Sequence, residues 1–272
     1  MKIFFNTKAF DCLKDKHKLD ITDIPEEAEL VVLGAKPINF AEFKKLRFVY
    51  RFGVGRENIP EHVLQQNNLK VFFPSDVTRR ILYEATANFT VFLALRMFYS
   101  TSLGNIDLWQ KYTREYLYNK RFLVIGKGNI GSRVLKKMSV FMSVDSFDIK
   151  ENKMSELKDK LSISDIVSIH IPVSSDTICF IDREKLSWMK DSAILVNTAR
   201  GALVDEEALY DRLVSSNMRA AFDVFWEEPY NGNLKQLGND KFFMTPHTAS
   251  QTIAYVQAGL KDILNIVHKG EL

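Results

Sequence analysis

The apolar run Phe122–Leu123–Val124–Ile125, followed at once by Gly126–Lys127–Gly128–Asn129–Ile130–Gly131, constrains the fold more than any other part of the chain. Four consecutive apolar residues have the length of a short buried strand. They lead straight into Gly-x-Gly-x-x-Gly, and the residues after Gly131 have helical character. In such a unit the first glycine allows a tight turn off the strand and the second lets backbone approach a pyrophosphate. The third lets the helix pack close to the sheet. A pyrophosphate would rest on backbone N–H groups at the positive end of that helix. Glycine turns also arise for purely structural reasons, so context decides. Asp148 lies 22 residues beyond Gly126, at the end of a second strand-like run over Val144–Asp148. A carboxylate there can accept hydrogen bonds from a ribose 2′-hydroxyl. The segment predicts a dinucleotide site.

The totals narrow the setting. A chain of 272 residues can hold one large or two modest domains, each with a real core. The net charge of +3, with no basic cluster interleaved with aromatics, argues against a nucleic-acid partner. Cys12 and Cys179 have no metal-ligand spacing and are too few for a disulfide framework. Two buried or half-buried thiols in a reducing cytoplasm are expected, and no metal. The segment Met1–Lys8 lacks the apolar core of a signal peptide. Glu84–Tyr99, the most apolar helical stretch, contains Asn88 and Arg96 and falls short of the roughly 20 apolar residues that span a bilayer. The expectation is a soluble cytoplasmic protein with no membrane partner.

Along the chain, strand and helix signals alternate. Ile3–Phe5, Leu30–Leu33, Phe48–Tyr50 and Val71–Phe73 are short apolar runs of the kind buried on both faces of a parallel sheet. Phe40–Leu46 and Glu61–Gln66 are amphipathic stretches between them, with Pro60 at the start of the second. Glu84–Tyr99 reads as a helix that is apolar all round and therefore buried on several sides. Ile106–Glu115 reads as another helix. Further strands are expected over 122–125, 144–148, 166–171, 193–197, 219–224 and 242–245, with helices over 130–139, 152–161 and 205–214. Asp205–Glu206–Glu207 places acidic residues in the first turn of the last of these. Ala249–Val267 reads as a long C-terminal helix. The fold class is α/β, with two doubly wound parallel-sheet domains, the second of them a Rossmann dinucleotide-binding domain.

Three segments place a polar residue just past a strand, where ligands bind in such sheets. They are Asn197–Gly201 with Arg200, Asp223–Pro229 with Glu228, and Thr245–Ala249 with His247. Singly, each also reads as a surface arginine, a solvated acidic turn and a histidine at the start of a helix. Together they put a fixed cation, a carboxylate and an imidazole at the edge that carries the glycine loop. Reduction of a 2-oxo acid by hydride transfer needs such a set. Arginine holds the substrate carboxylate in bidentate fashion and polarises the carbonyl. Histidine donates a proton to the new alkoxide, and a neighbouring carboxylate favours its protonated form.

The run Asn197–Leu209, the run Ala221–Pro229 and Thr245–Pro246–His247 resemble the signatures of the D-isomer-specific 2-hydroxyacid dehydrogenases. So do Phe52–Ile59 and Ser164–Pro172 with Thr177, so the resemblance covers nearly the whole chain in the family's order. It implies an NAD-dependent oxidoreductase acting on a small D-2-hydroxy acid or 2-oxo acid. Arg200, Glu228 and His247 would be the catalytic residues, with Glu227 the rival of Glu228. Gly126, Gly128, Asn129, Ile130, Gly131 and Asp148 would hold the pyrophosphate and adenosine ribose. His170, Ile171, Pro172, Thr177 and the Thr198–Ala199 backbone would line the cofactor cleft, with Asp223 on the nicotinamide carboxamide. His170 is expected mid-strand, packed beside the cofactor rather than catalytic. Val54 and Gly55 would face the substrate carboxylate through their backbone, as Arg200 does through its side chain.

The resemblance further implies a substrate-binding domain of residues 1–97 plus 250–272, an inserted NAD-binding domain of residues 98–249, and a homodimer. Asp148 would repel a 2′-phosphate, which favours NAD over NADP, while Lys150 keeps NADP open as the lesser alternative. The chain departs from the family's pattern over Pro74–Tyr83, where Arg79 and Arg80 stand. These or Lys36 are candidates for a substrate phosphate, although a solvated charge explains each. The alternative function is an NAD-binding interaction protein of the family's corepressor type.

Overall fold

The computed structural model describes residues 1–56, 58–65, 69–99, 109–111 and 113–270. The chain forms two compact units, one of Met1–Leu82 with Gln251–Leu272 and one of Tyr83–Ser250.

The first unit is built on four parallel strands, β1 (Ile3–Phe5), β2 (Leu30–Leu33), β3 (Phe48–Arg51) and β4 (Lys70–Phe72), hydrogen-bonded in that order. Between β3 and β4 lies one turn of helix, α1 (Glu61–Leu64). Ile21 adds a single parallel bridge to Ile3, through Ile3 N–H to Asp20 and Thr22 N–H to Ile3. With that stretch outside β1, the chain order across the sheet is 2-1-3-4-5, a doubly wound order. β2 and β3 are buried along their whole length, β2 with an unbroken apolar sequence and β3 with Arg51 buried at its end. The expected helix over Phe40–Leu46 is only a short turn at Phe40–Glu42, capped by the Asn39 side chain.

Helix α2 (Asp76–Tyr99) starts eight residues before the expected Glu84. Ser75 explains the early start. Its Oγ accepts from Thr78 N–H and its carbonyl from Arg79 N–H, which satisfies the first turn. At 24 residues α2 is long and apolar enough to cross a membrane by length and composition. Its Ala87, Leu93, Ala94 and Met97 are fully buried against the second unit's sheet, which is the packing of a core helix. Of the helix expected over Ile106–Glu115, residues 106–108 and 112 lie outside the described residues, and the described residues 109–111 and 113–115 are not helical.

The second unit has six parallel strands: β5 (Arg121–Ile125), β6 (Ser143–Phe147), β7 (Ile166–Ile169), β8 (Ile194–Asn197), β9 (Arg219–Phe222) and β10 (Phe242–Met244). Their order is β10-β9-β8-β7-β5-β6, so the winding reverses at β5 and the switch point lies between β5 and β7. The crossing helices are α3 (Gly131–Met138), α4 (Ser155–Ile163), α5 (Arg183–Trp188) and α6 (Glu206–Ser215), of which the short α5 has no clear sequence signal. Along β5, Phe122 and Val124 pack with Leu93, Met97, Val134 and Met138 of α2 and α3. Leu123 and Ile125 point the other way, into a cluster with Leu157, Leu161, Leu186 and Leu209 of α4, α5 and α6. Each fully buried aliphatic side chain of this kind contributes about 1.5–3 kcal/mol. That two-sided burial is why β5 reads as an unbroken apolar run.

The chain then returns to the first unit as α7 (Ile253–Gly270). It begins at Ile253 and not at Ala249, because Thr252 caps it through Tyr255 N–H while the Ala249 N–H is bonded to Asp223. Asp262 of α7 accepts from the Tyr50 hydroxyl at 2.9 Å, and Tyr255 stacks on Phe52 with ring centroids 4.3 Å apart. Cys12 and Cys179 are free and exposed, contrary to the buried or half-buried state expected of them.

Candidate active site

Parallel pairing lines up the strand ends of the second unit. The last residues of neighbouring strands are register partners: Phe147 with Ile125, Ile125 with Ile169, Ile169 with Asn197, Asn197 with Phe222, and Phe222 with Met244. The next residue of each strand therefore falls in one row along a single edge: Asp148, Gly126, His170, Thr198, Asp223 and Thr245. Four of these six are residues to which the sequence assigned a part in cofactor binding on side-chain or loop grounds, and Thr198 is a fifth through its backbone.

The glycine loop occupies the switch point. Gly126 takes φ 91°, and a Cβ there would stand 2.7 Å from the His170 carbonyl. At Gly131 a Cβ would stand 1.9 Å from the Gly126 carbonyl, so the start of α3 touches the loop's own backbone. A Cβ at Gly128 meets no atom within 4 Å. The space beside Gly128 is open where a pyrophosphate must approach, and first-turn N–H groups of a helix lack intrahelical partners. The residues present fit a dinucleotide. Asp148 accepts from Lys127 N–H at 2.8 Å and Lys150 N–H at 3.0 Å. Those two bonds hold its carboxyl below the usual carboxylate range. Lys127 Nζ also pairs with Glu151 at 2.8 Å, a link between loop and post-β6 turn that a lysine inside the glycine motif could have signalled. Asn129 is exposed and Ile130 is partly exposed at the head of α3.

His170, Ile171 and Pro172 lie just past β7, which ends at Ile169, so His170 is not mid-strand. β7 loses its ladder partner where β5 turns away at Gly126, leaving His170 N–H bonded to Ile125. Burial drives the His170 imidazole down to about 3, so the ring is neutral; its Nε2 lies 3.0 Å from Ser168 Oγ. The Thr177 hydroxyl closes the following turn, donating to the Pro172 carbonyl and accepting from Ser174 N–H.

Of the three strand-end side chains, His247 and Glu228 are paired, and the charge of Arg200 acts on Glu228. His247 Nδ1 lies 2.8 Å and 3.1 Å from the two Glu228 oxygens. His247 itself sits at φ 52°, an uncommon conformation for a residue with a side chain, so its loop must be held firmly. Asp223 does the holding. Fully buried, it accepts from the Thr245 hydroxyl at 2.6 Å and from the N–H groups of Thr248 and Ala249 at 2.8 Å each. Burial pushes the Asp223 carboxyl up, and those bonds oppose the rise. Burial also pushes the Glu228 carboxyl up, but the His247 bond and charge outweigh it, helped by Phe225 N–H and the charge of Arg200, and the net direction is down.

Arg200 stands three residues past β8. Asn197, whose role the sequence left unassigned, clamps this loop by donating to the Arg200 carbonyl at 2.7 Å and accepting from Ala199 N–H at 2.9 Å. At Gly201 a Cβ would stand 2.1 Å from the Phe225 carbonyl carbon, so the Arg200 loop is pressed onto the loop that carries Glu228. That second loop is pinned in turn by Phe225 on Tyr230, Trp226 on Phe222, and the Trp226 indole N–H on the Val204 carbonyl. In the first unit, buried Arg51, also unremarked in the sequence, holds the Val54–Gly55 loop through the carbonyls of Phe52 and Gly55. Arg79 is ion-paired with Asp76. Glu227 is exposed, and the carboxylate beside His247 is Glu228.

The chain is similar in sequence and in fold to known proteins of one family. The family described as D-isomer specific 2-hydroxyacid dehydrogenase, NAD binding domain, matches residues 96–249. The chain is 30% identical to a hydroxypyruvate reductase of Thermotoga maritima, covering 90% of this chain and 89% of the relative. It is 34% identical to a glyoxylate reductase of Thermofilum pendens, over 89% of this chain and 74% of the relative. In fold it resembles a D-lactate dehydrogenase of Aquifex aeolicus solved with NAD and lactic acid, with a TM-score of 0.79 and 22% identity over 99% and 96% of the two chains. A glycine loop open at Gly128, a carboxylate at the end of β6 and a match spanning the whole second unit's sheet make this chain a member of the D-isomer-specific 2-hydroxyacid dehydrogenases, the NAD-dependent oxidoreductases.

Proposed function

We propose that the protein reduces small 2-oxo acids to D-2-hydroxy acids, with hydroxypyruvate and glyoxylate the first substrates to test. The His247–Glu228 pair beside Arg200, at the strand edge that carries the glycine loop, is the observation that supports this most directly. Bound NADH supplies the hydride. Gly126, Gly128, Asn129, Ile130 and Gly131 hold its pyrophosphate, and Asp148 its adenosine ribose. His170, Ile171, Pro172, Thr177, Thr198 and Ala199 line its seat, and Asp223 meets the carboxamide alongside its bonds to the His247 loop.

Arg200 binds the substrate carboxylate and polarises the carbonyl, so negative charge developing on that oxygen is stabilised. His247 donates Nδ1–H to Glu228, so Nε2 carries a proton only in the imidazolium form. That Nε2 proton is the one delivered to the alkoxide, with Glu228 orienting the ring. The Val54–Gly55 backbone is the first unit's proposed contribution to substrate binding, and a cytoplasmic homodimer is the proposed assembly. A panel of 2-oxo acids followed by NADH absorbance, repeated with NADPH, tests the reading. NADH binding without turnover of any 2-oxo acid would overturn it in favour of an NAD-binding interaction protein.

A further inference from the structure

The contact between α2 and the second unit's sheet is made of apolar side chains, among them Ala87, Leu93 and Ala94 against Val124, Val196 and Ala221. Two hydroxyls are buried there, Thr90 at 0% and Thr198 at 7% exposure, with their Oγ1 atoms 2.8 Å apart. A hydroxyl in such a setting is costly unless it is hydrogen-bonded, and here each satisfies the other.

Proton counting fixes the direction of the bond. Thr90 Oγ1 also lies 2.9 Å from the Thr86 carbonyl one turn back, the usual acceptor for a threonine inside a helix. A hydroxyl has one proton, so Thr90 gives its proton to Thr86 and accepts from Thr198. Thr198 thereby points its only proton into the helix contact. Thr198 itself stands in the row containing Gly126 and His170, two residues before Arg200.

We infer that Thr90 is a positioning residue that makes the Thr198 hydroxyl an acceptor-only group in the NAD seat, suited to an N–H or O–H donor of the cofactor. The inference rests on the NAD-binding reading of the glycine loop and is independent of which 2-oxo acid is reduced. Valine has the shape of threonine without the hydroxyl, so Thr90→Val removes both ends of the relay and leaves Thr198 free to turn.

The test is titration of the purified cofactor-free protein with NADH and with ADP-ribose, beside its thermal unfolding without ligand. Thr90→Val and Thr198→Val each raise the NADH Kd about five- to tenfold, the double variant is no worse than either, and Thr90→Ser stays within about twofold of wild type. A loss confined to NADH assigns the donor to the nicotinamide end, and an equal loss with ADP-ribose assigns it to the adenosine-side ribose; both support the relay. An unchanged Kd in Thr90→Val, additive losses in the double variant, or a fall in unfolding temperature with unaltered Kd overturns it. Should Thr90→Val not fold, Thr198→Val against Thr198→Ser carries the same comparison. Because the readout is binding, failure of the relay is distinguishable from absence of 2-oxo acid turnover.

Discussion

Gly128 and Gly131 sit three residues apart in one loop, yet alanine should act on them in opposite ways. At Gly128 the added methyl meets no protein atom within 4 Å, and the backbone there is outside the left-handed region. Gly128→Ala should therefore fold with unchanged stability, or gain up to about 1 kcal/mol by restricting the unfolded chain. The methyl instead fills the space beside the loop that a pyrophosphate needs, and NADH affinity should fall at least about tenfold, or about 1.4 kcal/mol. At Gly131 the methyl would lie 1.9 Å from the Gly126 carbonyl oxygen and 3.0 Å from Val124. Backbone must move, at a cost of about 1–3 kcal/mol or more, which lowers the midpoint of a unit this size by roughly 2–10 °C. Scanning calorimetry of the cofactor-free variants and fluorescence titration with NADH read the two effects separately. If Gly128→Ala bound NADH like wild type, or lost as much stability as Gly131→Ala, the reasoning from the loop's geometry would be wrong.

Glu228→Gln keeps a hydrogen-bond partner for His247 but removes the carboxylate charge beside it. Reductive kcat should fall about tenfold or more with NADH affinity preserved; an unchanged kcat would remove Glu228 from the acid/base pair. His170 is held neutral at about 3, below its unfolded value near 6.5, so its contribution to stability is present above about 6.5 and is lost as pH falls toward 3. Between pH 6.5 and 5 that loss is at most about 2 kcal/mol, and it should vanish from calorimetric profiles of His170→Gln; the same slope in the variant would contradict it. Asp148→Ser lifts the repulsion of a 2′-phosphate, so the NADPH-to-NADH ratio of kcat/KM should rise about tenfold or more. A ratio unmoved by that change would place the adenosine ribose elsewhere.

Much of this was legible in the sequence because parallel strands buried on both faces leave apolar runs, and β5, β7 and β8 stand within a few residues of where those runs lie. The glycine loop and the three strand-end motifs were legible because a parallel sheet sends every strand's exit to the same edge. The boundaries that moved did so for capping reasons that hydrophobicity does not report. Ser75 starts α2 across a polar stretch containing Arg79 and Arg80, and Thr252 delays α7. His170 looked like strand because Ile169 and Ile171 flank it, but its pairing partner had already turned off at Gly126. The supporting residues were the least visible. Asn197, Arg51 and Thr90 act through hydrogen bonds to backbone or to residues far along the chain, and no local pattern announces such a partner.

The central claim is that His247, braced by Glu228 and set beside Arg200, delivers the proton for 2-oxo acid reduction. The most direct measurement is steady-state NADH oxidation by wild type and His247→Ala across a 2-oxo acid panel, with NADH affinity measured alongside. Wild type should turn over at least one small 2-oxo acid. In His247→Ala kcat should fall about 10²-fold or more, with NADH affinity preserved. Turnover in His247→Ala comparable to wild type would contradict the claim.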